Sequence, residues 1–173
     1  MLKHINGHLM NNLKEQRINE IITYAREWIG TPYIHQGRQL GVGCDCAGFL
    51  IKLAEKFGYQ PEDMKGYAPI PDMKEMMGLI DSQMVRIPDK TKCQWADIAL
   101  MSFKKNGCPH HIGMITPRGI LHCNENLGKV VEHGINACWA KKIKFIYRLP
   151  DIAIMTELEE NINKAFDNMT GEK

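Results

Sequence analysis

No stretch of the chain approaches the roughly 18 consecutive apolar residues that a membrane-crossing helix needs. Met1 to Gln16 also lacks the short apolar core of a secretory signal. There is no excess of one charge: 22 basic against 20 acidic side chains leave a net +2, too little to argue for a nucleic-acid partner. Internal repeats and low-complexity tracts are absent, which removes solenoids and linker-like segments from consideration. Nor does the chain need cross-links. With 173 residues, 44% of them apolar, it can bury one ordinary core without disulfides. Its six cysteines, Cys44, Cys46, Cys93, Cys108, Cys123 and Cys138, are therefore expected as free thiols in a chain made in a reducing cytoplasm.

What is present is unevenly arranged. Residues 151–173 hold six acidic and two basic side chains, which leaves a mildly basic body. Residues 1–12 are polar, with Gly7 and several Asn, and are expected as a flexible leader. Ile18, Ile21, Ile22, Ala25, Trp28 and Ile29 then recur at three- and four-residue steps, the mark of an amphipathic helix that Gly30 and Pro32 end. A second helical pattern follows Gly48 (Leu50, Ile51, Leu53, Ala54, Phe57) and stops at Gly58. Between residues 60 and 92 four prolines interrupt the pattern, with a short helix expected around Met73–Ile80. Five short runs then read as strands: Asp97–Phe103, His111–Thr116, Ile120–Asn124, Lys129–His133 and Ile143–Leu149. Turn signals at Asn106-Gly107, Pro117-Arg118-Gly119 and Asn126-Leu127-Gly128 predict an antiparallel meander. The tail carries Met155, Leu158, Ile162, Ala165, Phe166 and Met169 at helical spacing, a stripe expected to dock on the same domain. Helices first and sheet second make an α+β domain.

The most chemically pointed segment is Gly43-Cys44-Asp45-Cys46-Ala47-Gly48-Phe49. Asp45 is a natural N-cap for the second helix, which puts Cys46 in the first turn. Unpaired N–H groups and the positive end of the helix dipole meet a thiol there, so a lowered Cys46 pKa is expected. A cysteine nucleophile also needs a base and a group to orient that base. Seven histidines compete: His4, His8, His35, His110, His111, His122 and His133. If residues 116–119 form a hairpin loop, Ile115 pairs with Ile120 and Gly113 opposes His122. His111 and His122 then share a sheet face as diagonal neighbours, roughly 7 Å apart at the backbone, while a one-residue slip would separate them. His35 and His133 are read as solvated, and Trp95 and Trp139 as core or rim packing.

Several motifs resemble the papain-like NlpC-type cell-wall peptidases. They are Trp28-Ile29-Gly30-Thr31-Pro32-Tyr33, Gly43-Cys44-Asp45-Cys46-Ala47-Gly48-Phe49, Ala96-Asp97-Ile98, His111-Ile112-Gly113-Met114-Ile115 and Ile120-Leu121-His122. Their order and spacing match over roughly residues 18–150. Tyr33-Ile34-His35-Gln36, the doubled Cys44-Asp45-Cys46 and Phe145-Ile146-Tyr147-Arg148-Leu149-Pro150 look closest to the phage-tail and gene-transfer-agent members. The resemblance implies a papain-like fold, with N-terminal helices packed on a five- to six-stranded antiparallel sheet. The catalytic domain would span 13–150, after the 1–12 leader, with a C-terminal helix at 151–173 packed on it. It also implies a Cys-His-polar triad: Cys46 as nucleophile, His111 as general base and His122 as orienting residue, with Tyr33 in the oxyanion pocket. The implied substrate is a peptidoglycan stem peptide, cut between γ-D-glutamate and a diamino acid through a thioester. Phage-tail or tail-like particle proteins are the implied partners, with the wall reached from such a particle. Ala47, where the family often has Ser, and Ile34-His35-Gln36-Gly37, where Trp-Gly-Gly is common, depart from the pattern and bear on substrate preference. So does Cys123-Asn124-Glu125 after His122.

No metal or organic cofactor is required by this reading. A Cys44/Cys46/His111/His122 zinc site is disfavoured because Cys-x-Cys is unusual spacing for structural zinc. The rival functions are a catalytically silent tail component that kept the fold, and an acyltransferase or amidase using the same triad on another substrate.

Overall fold

The computed structural model describes residues 2–68, 73–104 and 107–170. In chain order it contains α1 (Leu2–Glu27), the strands β1 (Arg38–Gln39) and β2 (Gly43–Cys44), α2 (Cys46–Lys56) and α3 (Met73–Gln83). β3 (Val85–Ile87), a 3-10 turn at Lys90–Lys92, β4 (Ile98–Met101), β5 (His111–Thr116), β6 (Gly119–Asn124) and β7 (Lys129–His133) follow. The one-turn α4 (Ala137–Ala140), β8 (Ile143–Arg148) and α5 (Pro150–Thr170) complete it.

The apolar stripe of α1 turns inward as its spacing predicts. Ile18, Ile21, Ile22 and Ala25, with Trp28 just beyond the helix, are all 6% exposed or less, whereas Ile29 is exposed. Gly30 follows at φ +91°, a backbone conformation that glycine adopts without a Cβ clash. The leader expected at 1–12 is corrected by the structure, because the helix is continuous from Leu2. Once a helix is nucleated, each added residue costs little, so a strong downstream stripe can carry polar residues with it. α5 runs against α1, and Lys14 pairs with Glu159 while Arg17 Nε donates to Asp151 at 2.8 Å. Of the tail stripe, Met155 and Ile162 are half-buried and Leu158 faces solvent, with Ile152 supplying the fully buried contact. The side chains of Phe166 and Met169 lie outside the described residues.

Six strands form one antiparallel sheet in the order β3-β8-β4-β5-β6-β7. The consecutive part, β4 to β7, is the expected meander. β8 then returns to the far side of β4, and β3, which has no sequence counterpart among the expected strands, adds the edge. The expected strand at 97–103 is trimmed to Ile98–Met101. Of the turn at Asn106-Gly107, Asn106 lies outside the described residues. The β5–β6 turn is tighter than a four-residue loop, since Thr116 pairs with Gly119 and only Pro117 and Arg118 remain unpaired. Ile115 nonetheless faces Ile120, the register on which the histidine argument rests.

Both sheet faces are covered. Ile98, Leu100, Ile112, Met114, Leu121 and Tyr147 belong to the core shared with α1 and α2, and Ala99, Met101, Ile115, Ile120 and Ile146 to a smaller cluster with Ile87 and Trp139. Each such aliphatic side chain contributes about 1.5–3 kcal/mol by leaving water. Between β4 and β8 lies a buried ion pair, Arg148 Nε to Asp97 Oδ1 at 2.8 Å, doubled by Nη2 to Oδ2 at 2.8 Å. Asp97 in the Ala96-Asp97-Ile98 motif therefore ties strands together, and takes no part in the cleft. The molecule is an α+β fold of helices against a six-stranded antiparallel sheet.

Candidate active site

α2 starts where the sequence places it. Asp45 takes an extended backbone conformation and its Oδ1 accepts the Gly48 N–H at 2.8 Å, so Cys46 is the first helical residue. First-turn N–H groups have no intrahelical acceptor, so those at the start of α2 are turned toward the Cys46 sulfur and the space beside it. Gly48 is required by packing: a Cβ there would sit 1.9 Å from the Gly37 carbonyl oxygen. The 34–38 turn can therefore press on the start of α2 only because position 48 is bare.

Asp45 is also the hub of a polar network. Its Oδ2 accepts from the Gln36 N–H at 2.7 Å and from the Tyr67 hydroxyl at 2.5 Å. Arg38 donates to the Tyr67 oxygen from both Nη atoms at 3.2 Å and to Asp63 at 2.8 Å, and His35 Nε2 and Gln36 Nε2 lie 3.0 and 2.9 Å from the Tyr67 carbonyl. Burial, then the Asp45 carboxylate, push the Tyr67 phenol up. The segment near 60–68, hard to read from its prolines, thus becomes one wall of a cleft of about 560 Å³.

Cys46, Tyr33, His111 and His122 all line that cleft. The β5–β6 register brings the two histidines together as expected: His111 Nε2 is 2.7 Å from His122 Nδ1, with the rings at 85°. Gly113 lies opposite this pair, and a Cβ there would come 2.9 Å from the Ile120 side chain and 3.1 Å from the His122 Cβ. Tyr33 is held by a bridge to Cys44 and by its N–H donating to the Gly128 carbonyl at 2.7 Å. Its phenol is pushed up by burial first, then by Glu125, Asp45 and Cys46.

The ionisation of the pair corrects the sequence expectation. Burial, and secondarily the Asp45 carboxylate, push the Cys46 thiol up to about 12, although backbone hydrogen bonds from Ile112, Ala47 and Cys46 itself pull the other way. The helix start that favours a thiolate is outweighed by the acidic cap beside it and by desolvation. Burial, then His122 and His110, hold His111 down to about 3; burial, then His133, hold His122 down to about 4. At neutral pH the Cys46 thiol and the His111 imidazole are both uncharged, which is not the thiolate–imidazolium couple.

Other expectations shift as well. Cys44 is a buried member of β2, and its carbonyl accepts from the buried Cys123 thiol at 3.1 Å. Trp95 is half-exposed, whereas Trp139 stands at the cleft, its ring 5.4 Å from that of His122 and 4.3 Å from that of His133. The residue that sequence reasoning missed is His133, whose Nε2 lies 3.1 Å from His122 Nε2. A signal for it existed. His122 pairs with Val131 across β6–β7, so His133 is the diagonal neighbour of His122 just as His111 is across β5–β6. His35 is bound to the Tyr67 carbonyl and lies 3.6 Å from Asp45, so it braces the cap instead of pointing freely to solvent.

No protein-family model matches the chain, and no curated protein does. Solved structures resemble it. One is a lipoprotein-like protein of the NLP/P60 family from Staphylococcus aureus, with 14% identity, a TM-score of 0.54, and coverage of 78% of this chain and 41% of that one. Another is the peptidoglycan hydrolase RipB from Mycobacterium tuberculosis, with 16% identity, a TM-score of 0.55, and coverage of 78% of this chain and 65% of that one. The chain thus spans less than two thirds of either neighbour. At these identities the likeness is one of fold, and it matches the helix-and-sheet arrangement described above.

Proposed function

We propose that this chain is a cysteine peptidase that hydrolyses an amide bond in peptidoglycan stem peptides. The observation that carries the reading is the 2.7 Å contact of His111 with His122 in the cleft that Cys46 enters from the first turn of α2. The fold neighbours support the substrate class, since one of them is described as a peptidoglycan hydrolase. Among the described residues no helix is long and apolar enough to cross a membrane.

The neutral resting pair sets how the first step runs. His111, held neutral, takes the thiol proton as the Cys46 sulfur attacks the carbonyl carbon, so the ion pair forms only as the reaction proceeds. The oxyanion that develops is met by the Cys46 N–H at the helix start and by the Tyr33 hydroxyl. The tetrahedral species collapses as His111 gives its proton to the departing amine, which leaves a thioester on Cys46. Water then attacks the thioester with His111 again accepting a proton, and the thiol is regenerated on release of the acid. His122 holds the His111 ring through both steps. The bond assigned is that between γ-D-glutamate and the diamino acid.

Digestion of purified peptidoglycan followed by mass spectrometry tests the reading. The wild type should yield new stem-peptide termini, and Cys46→Ala should yield none while keeping its circular-dichroism spectrum. Turnover surviving in Cys46→Ala would overturn the nucleophile, and a wild type that releases no such termini would overturn the substrate.

A further inference from the structure

We infer that His133 is a positioning residue of this site, fixing through His122 which nitrogen of His111 is free to accept a proton. The inference rests on the peptidase reading for its consequence, but its hydrogen-bond logic stands on geometry alone. Three imidazoles form one chain: His111 Nε2 to His122 Nδ1 at 2.7 Å, His122 Nε2 to His133 Nε2 at 3.1 Å, and His133 Nδ1 to the Gly134 carbonyl oxygen at 3.0 Å.

The last link gives the chain its direction. A carbonyl oxygen can only accept, so His133 must carry its proton on Nδ1. In a neutral imidazole the other nitrogen is then a bare acceptor, and His133 Nε2 receives the N–H of His122 Nε2. By the same rule His122 Nδ1 is bare and receives the N–H of His111 Nε2. That leaves His111 Nδ1 with its lone pair unused. Reversing any one tautomer would set two N–H groups, or two lone pairs, against each other at a junction. Deleting the carbonyl-anchored ring removes the constraint that orders the other two.

The rings are also held mechanically. Asn136 caps α4 by accepting the Trp139 N–H at 3.0 Å, and the Trp139 ring packs on both His122 and His133. His133 does not line the cleft itself, so it acts only through its neighbour.

The test uses histidine-¹⁵N-labelled protein, in which long-range ¹H–¹⁵N correlations report the tautomer of each ring, alongside turnover on muropeptides. In the wild type at pH 7.5, His111 and His122 should both carry their protons on Nε2. His133→Phe should give mixed tautomers at both rings and lower kcat roughly 10- to 100-fold with KM nearly unchanged, by analogy with removing the orienting partner of a metal-bound imidazole. His133→Gln, whose side-chain carbonyl can accept from His122, should restore a single tautomer and most of kcat. The inference is overturned by a wild-type His122 protonated on Nδ1, by a His133→Phe variant with unchanged tautomers and kcat, or by Phe and Gln variants equally impaired. Should His133→Phe fail to fold, the wild-type spectrum and His133→Gln decide. A wild type with the expected tautomers but no muropeptide turnover would count against the peptidase reading and leave the histidine chain standing.

Discussion

Attack by Cys46 on a small neutral disulfide should be slow in the free protein, and its pH dependence should show why. With the thiol at about 12, about 10⁻⁴ of it is ionised at pH 8, against about a quarter of an ordinary thiol near 8.5. That deficit is about three orders of magnitude. A more basic thiolate is intrinsically more nucleophilic, with a Brønsted slope of about 0.4–0.5, which returns about one and a half orders. Cys46 should therefore react roughly 30- to 100-fold more slowly than a small reference thiol, before any steric hindrance. In a His111→Gln variant, where no imidazole takes the thiol proton, its rate should climb about tenfold per pH unit from 6 to 9, because the thiolate fraction rises by that factor. The assay is timed reaction with hydroxyethyl disulfide, acid quench, digestion, and mass-spectrometric quantification of the peptide containing residue 46. Reaction faster than the reference thiol at pH 6 would refute the neutral resting pair. It would mean that the dipole of α2 and His111 together overcome Asp45 and burial, and that a pre-formed ion pair attacks.

Gly48→Ala should destabilise the fold, because the new methyl carbon would meet the Gly37 carbonyl at 1.9 Å. Forced overpacking costs about 1–3 kcal/mol and outweighs the roughly 1 kcal/mol that alanine gains in a helix, so the urea midpoint should fall; an unchanged or higher midpoint would sink the argument. Stability should also drop on acidification. His111 and His122 are held at about 3 and about 4 in the fold against an ordinary 6.5, so between pH 6.5 and about 4 the unfolded chain binds protons that the native state refuses, and stability is lost as pH falls. The decrease in urea midpoint from pH 7 to pH 5 should be shallower in a His111→Gln/His122→Gln variant; an identical decrease would place the acid sensitivity elsewhere.

The sequence was most informative where local chemistry and pairing act alone. An aspartate three residues before Gly48 caps α2 whatever surrounds it, and a short turn between two alternating runs sets Ile115 opposite Ile120, which carries His111 to His122. It was least informative where a distant partner decides. Residues 2–12 look unfit for helix, yet α1, which packs on α5 further along, continues through them. β3 is only three residues long and exists because β8 offers an edge. The ionisation of Cys46 was misjudged for a related reason: the helix start is written in the sequence, but the depth at which the fold sets the sulfur is not. His133 was legible and overlooked, since the diagonal rule applied at one hairpin holds at the next.

If the proposed function holds, the dual employment of Asp45 ties catalysis to recognition at the level of covalent neighbours. One carboxylate oxygen starts the helix that presents the sulfur, and the other is claimed by the backbone of Gln36 and the phenol of Tyr67. The rim that greets an incoming ligand and the atom that would attack it consequently share a single hinge pin. Variation in this rim is not free to drift independently of the chemistry: a change that retires Tyr67 also tugs on the residue preceding the sulfur. Anyone reshaping the entrance for a different ligand would have to keep a hydroxyl aimed at that oxygen, or supply another donor in its place.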